Sequence, residues 1–156
     1  MDIFFLQIII FVIIIIAALY IRHTINEKRT AAVVLAINGK IVVKIKNIKA
    51  EVFSNGAQDW KFNFRKCDVY VLSDAIFLAT YKTVIKGVPV FLTYNKELYN
   101  AVIPQYALVN LKKINPDSYG KSVYLEYQHQ EGNSHKFNVD MHLYGLTEAQ
   151  REYFRF

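Results

Sequence analysis

The sequence IFFLQIIIFVIIIIAALYI occupies residues 3–21 and decides how the rest of the chain is placed. These nineteen residues carry no charge, and fifteen of them are Ile, Leu, Val or Phe. As a helix rising about 1.5 Å per residue, the segment is roughly 28 Å long, close to the ~30 Å hydrocarbon core of a bilayer. We therefore predict a membrane-spanning helix, anchored through apolar side chains such as Ile3, Ile10 and Ile14.

The charges that flank this segment predict its orientation. Nothing basic precedes it, whereas Arg22, Lys28 and Arg29 follow it. Because basic residues concentrate on the cytoplasmic side of a span, we expect a single-pass membrane protein whose C-terminal part is cytoplasmic. Tyr20 stands where an aromatic anchor meets the membrane–water interface, and Arg22 is the first charge beyond it.

A cleaved signal peptide is the main alternative to a membrane anchor. It would begin with a basic region and carry a shorter apolar core before an A-x-A-like cleavage site. Here no Lys or Arg precedes the apolar run, and Ala17-Ala18-Leu19 is followed by the bulky Tyr20 and Ile21. A buried core helix would need some polar face, and this segment has none. A membrane span fits the segment better than both alternatives.

The remaining 135 or so residues are enough for one domain with one core, and their many Tyr and Phe residues favour a sheet. The single Cys67 excludes an intramolecular disulfide and suits a reducing compartment. Its neighbours Arg65 and Lys66 would favour a reactive thiolate. A small buried strand residue is the preferred interpretation of Cys67.

The net charge of +6 is unevenly distributed along the chain. Residues 22–113 hold fifteen Lys or Arg against six Asp or Glu, and residues 114–156 hold four against six. The basic part is thus the one nearest the span, where it would favour an anionic leaflet. An ordinary solvated Lys-rich surface explains the same balance. The scattering of these charges argues against a nucleic-acid partner.

Residues 31–37 and 41–48 are two apolar runs around Asn38-Gly39, a pattern that predicts a β-hairpin. A helix that begins near Asn26 and is stopped by Gly39 is the alternative. Alternating apolar residues and turn signals predict further strands, most clearly the last of them. In chain order these strands are residues 51–54, 60–65, 68–72, 75–81, 88–94, 106–114, 122–129 and 135–144.

Two helical segments complete the prediction. Residues 95–103 form one or two turns, with Asn95 as the N-cap. Residues 146–156 form a C-terminal helix with a capping box made by Thr147 and Gln150. Its buried face is expected to comprise Leu146, Ala149 or Gln150, Tyr153 and Phe156.

Residues 68–79, DVYVLSDAIFLA, are two short strands around a tight turn, apolar on one side. With the later strands and the closing helix, this pattern resembles the pleckstrin-homology-like (PH-like) superfold, and its GRAM and bacterial PH branches most. The resemblance implies a mainly β (α+β) fold, an antiparallel β-sandwich or barrel closed at one end by the C-terminal helix. The expected organisation is a transmembrane helix at 1–21, a juxtamembrane connection with a possible first strand at 22–38, and a PH-like domain at 39–156.

The resemblance also implies a binding function. Some members bind phosphoinositide headgroups through basic residues of the first hairpin, and many bind proteins. Here that region is less densely basic than usual, with Lys49 and Lys66 among its charges. The basic residues that face away from the apolar alternation would form one patch if their strands are neighbours. The predicted lipid- or partner-binding residues are Lys44, Lys46, Lys61 and Arg65.

No catalytic or metal-binding motif stands out in the sequence. His23, His129, His135 and His142 lack the spacing of a zinc site, and Asp140 with His142 is interpreted as a solvated strand face. We therefore expect no metal, no cofactor and no enzyme activity. The expected function is a membrane-anchored binding or scaffold module for a protein partner, and the alternative is binding of anionic phospholipid headgroups at the inner leaflet.

Overall fold

The computed structural model describes residues 3–54, 64–82, 85–118, 121–131 and 135–156. Over these residues an N-terminal apolar helix is followed by a mostly β closed barrel and a short C-terminal helix, which confirms the coarse fold prediction. The elements in chain order are α1 (Ile3–Ile37), β1 (Val43–Ser54), β2 (Lys66–Val71), β3 (Ala75–Lys82), β4 (Ile85–Lys86), β5 (Val90–Thr93), β6 (Leu108–Ser118), β7 (Ser122–Glu131), β8 (His135–Tyr144) and α2 (Glu148–Glu152).

Helix α1 is 35 residues long and divides into two halves of different character. Its apolar first half is exposed throughout and is long and apolar enough to cross a membrane, a property that signal sequences share. Its second half includes the residues predicted as a connection with a possible first strand. Because the apolar half is already helical, extending the helix avoids the cost of a new nucleus.

The predicted hairpin around Asn38-Gly39 is wrong. Residues 31–37 belong to α1, which is followed by a 3₁₀ turn, Asn38–Lys40. The alternative of a helix is correct in kind, but the helix begins at Ile3, and Gly39 does not adopt the left-handed conformation of a C-cap glycine. The physical reason lies in packing, because Val33 and Ile37 are completely or almost completely buried against the barrel.

The barrel strands are hydrogen-bonded in the order β2-β1-β8-β7-β6-β5-β3-β4, and a further pairing of β2 with β3 closes the ring. The pairings are antiparallel except that between β5 and β6, which is parallel. This pair departs from the expected antiparallel sheet. It requires a crossover, which residues 94–107 supply. The helical turns predicted at 95–103 are present in it as single turns, one of them closed by the bond from the Ile103 N–H to the Tyr99 carbonyl at 2.8 Å. Asn95 does cap these turns, since its side-chain oxygen accepts from the Glu97 N–H at 3.1 Å.

β1 is one strand, although the sequence predicts two separate strands at 41–48 and 51–54. Its register against β2 shifts between Ile45 and Ile48. Within this bulge Asn47 has a φ of 57°, and its N–H donates to the Asp68 carboxylate at 2.9 Å. The turn predicted at Asn55-Gly56 and most of the strand predicted at 60–65 lie outside the described residues. β6 extends past its predicted end to Ser118, and β7 and β8 lie close to their predicted positions.

β4 and β5 occupy the same edge of β3, interrupted at residues 87–89. The Gly87 N–H donates to the Thr80 carbonyl at 2.8 Å. A Cβ at Gly87 would lie 2.3 Å from the Thr80 hydroxyl, so any other residue at this position would force the Thr80 side chain to shift. Pro89 directly precedes β5. Proline has no N–H to give to the ladder and is tolerated just before a strand.

Two apolar cores lie on opposite sides of one barrel wall. The inner core fills the barrel, and the outer core lies between the wall formed by β2, β3 and β5, helix α1 and the 95–107 crossover. β3 is therefore buried on both faces over residues 75–80 and lacks the expected one-sided pattern. The largest residues of the outer core are Ile37, Tyr70, Leu72, Phe77, Phe91, Tyr99 and Ile103.

The C-terminal helix closes the barrel differently from the prediction. The capping box of Thr147 and Gln150 is present, but α2 has only five residues. Because the chain leaves the helix after Glu152, Phe154 rather than Tyr153 enters the inner core. Phe154 is 1% exposed, whereas Tyr153 is 45% exposed. The predicted burial of Tyr153 and Phe156 is wrong, and that of Leu146 is confirmed.

Candidate functional site

The second half of α1 fixes the position of the barrel relative to the apolar half. Asn26 is 2% exposed and donates from its side-chain amide to the Lys86 carbonyl at 2.9 Å. The Lys86 N–H in turn donates to His23 Nδ1 at 3.2 Å. The end of the barrel that carries β4 therefore lies beside the first turns after the apolar segment. We call it the proximal end, and the opposite end, beside Ile37, the distal end.

The basic residues predicted to form one patch are separated along the barrel. Lys44 and Lys46 are exposed near the start of β1, and the Lys44 ammonium lies 4.7 Å from the centre of the Tyr70 ring. Arg65 lies at the proximal end, where its carbonyl accepts from the Ala50 N–H at 2.9 Å. Lys44 and Ala50 are about 20 Å apart along the strand. Lys61 lies outside the described residues.

Arg65 instead belongs to a basic cleft at the proximal end. A cavity of about 590 Å³ opens between β1 and the chain that enters β2, and Lys49, Arg65 and Lys66 line it together with Glu51. The Lys49 ammonium lies 3.0 Å from the Glu51 carboxylate, and this hydrogen bond lowers the pKa of Glu51. Lys49 and Lys66, absent from the predicted site, are thus the basic residues that the structure places beside Arg65.

A second candidate surface covers the side of the barrel away from α1. We call it the tyrosine face, and it consists of outward-facing residues of β1, β7 and β8. It adjoins the basic cleft and shares Lys49, Glu51 and Phe53 with it. Strand register sets Glu51 opposite His142, and His142 opposite Tyr124. The residues of the face are Lys49, Glu51, Phe53, Ser122, Tyr124, Asp140, His142 and Tyr144.

Hydrogen bonds hold the side chains of the tyrosine face in place. The Tyr124 hydroxyl donates to the Asp140 carboxylate at 2.7 Å, and burial together with this carboxylate raises the pKa of Tyr124. Ser122 Oγ lies 3.1 Å from His142 Nδ1. The His142 and Tyr144 rings are stacked, with centres 6.0 Å apart. The face is therefore ordered before any partner arrives.

The tyrosine face places a serine beside a histidine. A serine hydroxyl beside an imidazole can begin an acyl-transfer site, but Ser122 is completely buried and its hydroxyl is out of reach of a substrate. Over the described part of the chain no cluster of three or more His, Cys, Asp or Glu could hold a metal ion. The side chains of His129 and His135 lie outside the described residues. Burial raises the pKa of the Cys67 thiol, which favours the structural interpretation of that cysteine.

The alternation of residues along β8 places Asp140 and His142 on one outward face. It does not predict the pairing of β8 with β1 and β7, which brings Glu51 and Tyr124 beside them. No signal within a single strand could have revealed this cluster, because its members come from three strands. The fold and the face define a β-barrel protein carried on an N-terminal apolar helix. Comparison with family models, curated proteins and solved structures found no match for the chain.

Proposed function

We propose that this chain is a single-pass membrane-anchored binding module whose PH-like barrel presents the tyrosine face to a protein partner in the cytoplasm. The observation that carries this proposal is the continuity of α1 from the exposed apolar half to the docked half. A helix that crosses a bilayer and then packs on a barrel holds that barrel at a fixed height and orientation. Such fixation raises the effective concentration of partners in the same membrane.

The composition of the tyrosine face supports a protein as the partner. Aromatic residues are enriched at protein interfaces because they bury a large area with few rotatable bonds. Phe53 is 57% exposed opposite Asp140, the hydrogen-bond partner of Tyr124, and offers an apolar anchor. The hydrogen bonds of Tyr124 and Tyr144 restrict these rings in advance, which reduces the entropy lost on binding.

A photocrosslinking amino acid at Phe53 is expected to capture one discrete protein in native membranes. The matched control places it at Leu98, which is 63% exposed on the 95–107 crossover, on the other side of the barrel. Tyr144→Ala should reduce the Phe53 crosslink about tenfold or more, as expected for an interface hot spot. The proposal would be contradicted if the crosslinker at Leu98 gave the same yield of crosslinked protein. It would also be contradicted if Tyr144→Ala did not change the yield from Phe53.

Binding of anionic lipid headgroups at the inner leaflet is the second candidate function. It is favoured by the basic cleft, whose three cationic residues lie at the proximal end, where the leaflet would lie if α1 spans the membrane. Basic residues near an anionic leaflet contribute up to about 1 kcal/mol each. The same crosslinking experiment distinguishes this function, since a crosslinker at Arg65 would then capture lipid and not protein.

The proposed orientation can be checked separately with a cysteine introduced at the exposed Lys121. The native Cys67 is completely buried, so background labelling should be low. In intact cells a membrane-impermeant maleimide is expected to leave the Lys121→Cys chain unlabelled until the membrane is permeabilised. Efficient labelling before permeabilisation would place the barrel on the outer side.

A further inference from the structure

A groove of about 460 Å³ runs between α1 and the residues that interrupt β4 and β5. Its wall on the helix includes the apolar residues Ala18, Ile21 and Ile25, and Val88 closes it on the barrel side. Arg22 and Arg29 also line it. The groove therefore combines an apolar wall with two guanidinium groups.

The position of the groove along α1 matches the headgroup region of a bilayer. Ile21 is the last residue of the uncharged segment, and Arg22 is the first charged residue after it. Arg29 follows two turns later on the same side of the helix, roughly 10 Å further along the axis. Because helical side chains lean towards the N-terminus of their helix, the side chain of Arg29 leans back towards the span.

The guanidinium of Arg29 is held in place by the barrel. It lies 4.6 Å from the centre of the Tyr106 ring. A cation–π contact at this distance holds the guanidinium against the ring. The several N–H donors of an arginine can bind an anion from this position. The acidic residue nearest along the helix, Glu27, is not part of the groove, and its carboxylate lies 3.9 Å from His23 Nε2.

From this arrangement we infer that the groove binds one molecule of an anionic phospholipid from the adjoining leaflet. Arg22 and Arg29 bind the phosphate by charge-assisted hydrogen bonds. Ala18 and Ile21 carry the apolar wall of the groove on to the exposed surface of the span, where an acyl chain packs. This continuity with the apolar half distinguishes a lipid from a free phosphate, which would gain nothing from the wall. The inference rests on the membrane-spanning part of the proposed function and is independent of the tyrosine face.

Native mass spectrometry of the full chain in detergent tests this inference, with palmitoyl-oleoyl phosphatidylglycerol and the matching phosphatidylcholine as probes. We expect one phosphatidylglycerol per chain to be retained in preference to phosphatidylcholine. Arg22→Gln and Arg29→Gln should each weaken retention about tenfold, the change produced by the loss of a charged hydrogen bond. Lys28→Gln, an exposed residue of the same helix outside the groove lining, is the matched control and should retain the lipid.

A second variant keeps both arginines and fills the groove. Ala18→Trp should reduce retention of phosphatidylglycerol while the thermal unfolding of the barrel stays unchanged. Equal retention of the two lipids, an equal loss in Lys28→Gln, or full retention in both Arg22→Gln and Arg29→Gln would overturn the inference. Full retention in Ala18→Trp would overturn it as well. A chain that does not span the membrane would instead appear in the soluble fraction of cells, which separates that failure from loss of the lipid site.

Discussion

Replacing Val33 by Asp is expected to lower the free energy of unfolding of the barrel by about 4 kcal/mol, because an unpaired carboxylate would enter the outer core. Val33 is completely buried between α1 and the barrel wall. Leu35→Asp is the matched control, since Leu35 is 79% exposed on the same helix. It introduces the same charge two residues away and should change stability by only about 0.5 kcal/mol. Urea unfolding of a fragment of residues 22–156 measures both variants.

The same packing predicts where the folding unit begins. A fragment of residues 39–156, the boundary that the sequence predicts, lacks Val33 and Ile37 and uncovers the aromatic residues of β3 and β5. It should aggregate or unfold at a lower temperature than the 22–156 fragment. Equal stability of the two fragments, or of Val33→Asp and Leu35→Asp, would show that the docking of α1 contributes little.

Replacing Phe154 by Ala is expected to cost about 3–5 kcal/mol of stability, the range observed when a buried aromatic ring is removed. Phe154 is 1% exposed and belongs to the inner core, although it lies beyond the last residue of α2. Tyr153→Ala is the matched control, because Tyr153 is 45% exposed. That substitution should cost less than about 1 kcal/mol. Thermal unfolding of the 22–156 fragment followed by circular dichroism compares the two variants.

The opposite ranking would support the face that the sequence predicted for this helix. If Tyr153→Ala were the more destabilising change, the C-terminal segment would continue as a regular helix past Glu152 in solution. If neither variant changed the unfolding temperature, the C-terminal segment would not close the barrel.

The parts of the fold that the sequence predicts are those governed by one element alone. The uncharged run of residues 3–21 predicts a helix because its length and composition suffice. The alternation of Val139, Met141 and Leu143 predicts β8 because one of its faces is buried and the other polar. Thr147 and Gln150 predict the capping box because the residues that form it are three positions apart.

The errors occur where tertiary contacts override local signals. Residues 31–37 have the composition of a strand beside Asn38-Gly39, yet they are helical because the outer core takes up Val33 and Ile37. The spacing of Asn26, Thr30, Val33 and Ile37 is that of a buried helix face, but two of the four are polar. A pattern based on apolar residues alone therefore does not detect it.

The candidate surfaces were less predictable than the fold. The sequence selects Lys44, Lys46, Lys61 and Arg65 by their outward positions within strands, which says nothing of distance along the barrel. The bulge at Asn47 and the length of β1 separate Lys44 from Arg65. The tyrosine face depends on the register of three strands, and register follows from the packing of the whole barrel.

The continuity of α1 between its two halves has a mechanical consequence. If α1 had a hinge, the barrel could keep its orientation when the apolar half tilts. Because α1 is continuous, any change in its tilt also rotates the barrel that packs on it. Tilt in a membrane follows the match between the apolar length of a helix and the thickness of the bilayer. A tilt of about 20°, the average for membrane helices, would move the distal end sideways by several ångströms. If α1 spans a membrane, the thickness of the bilayer would therefore influence the direction in which the tyrosine face points.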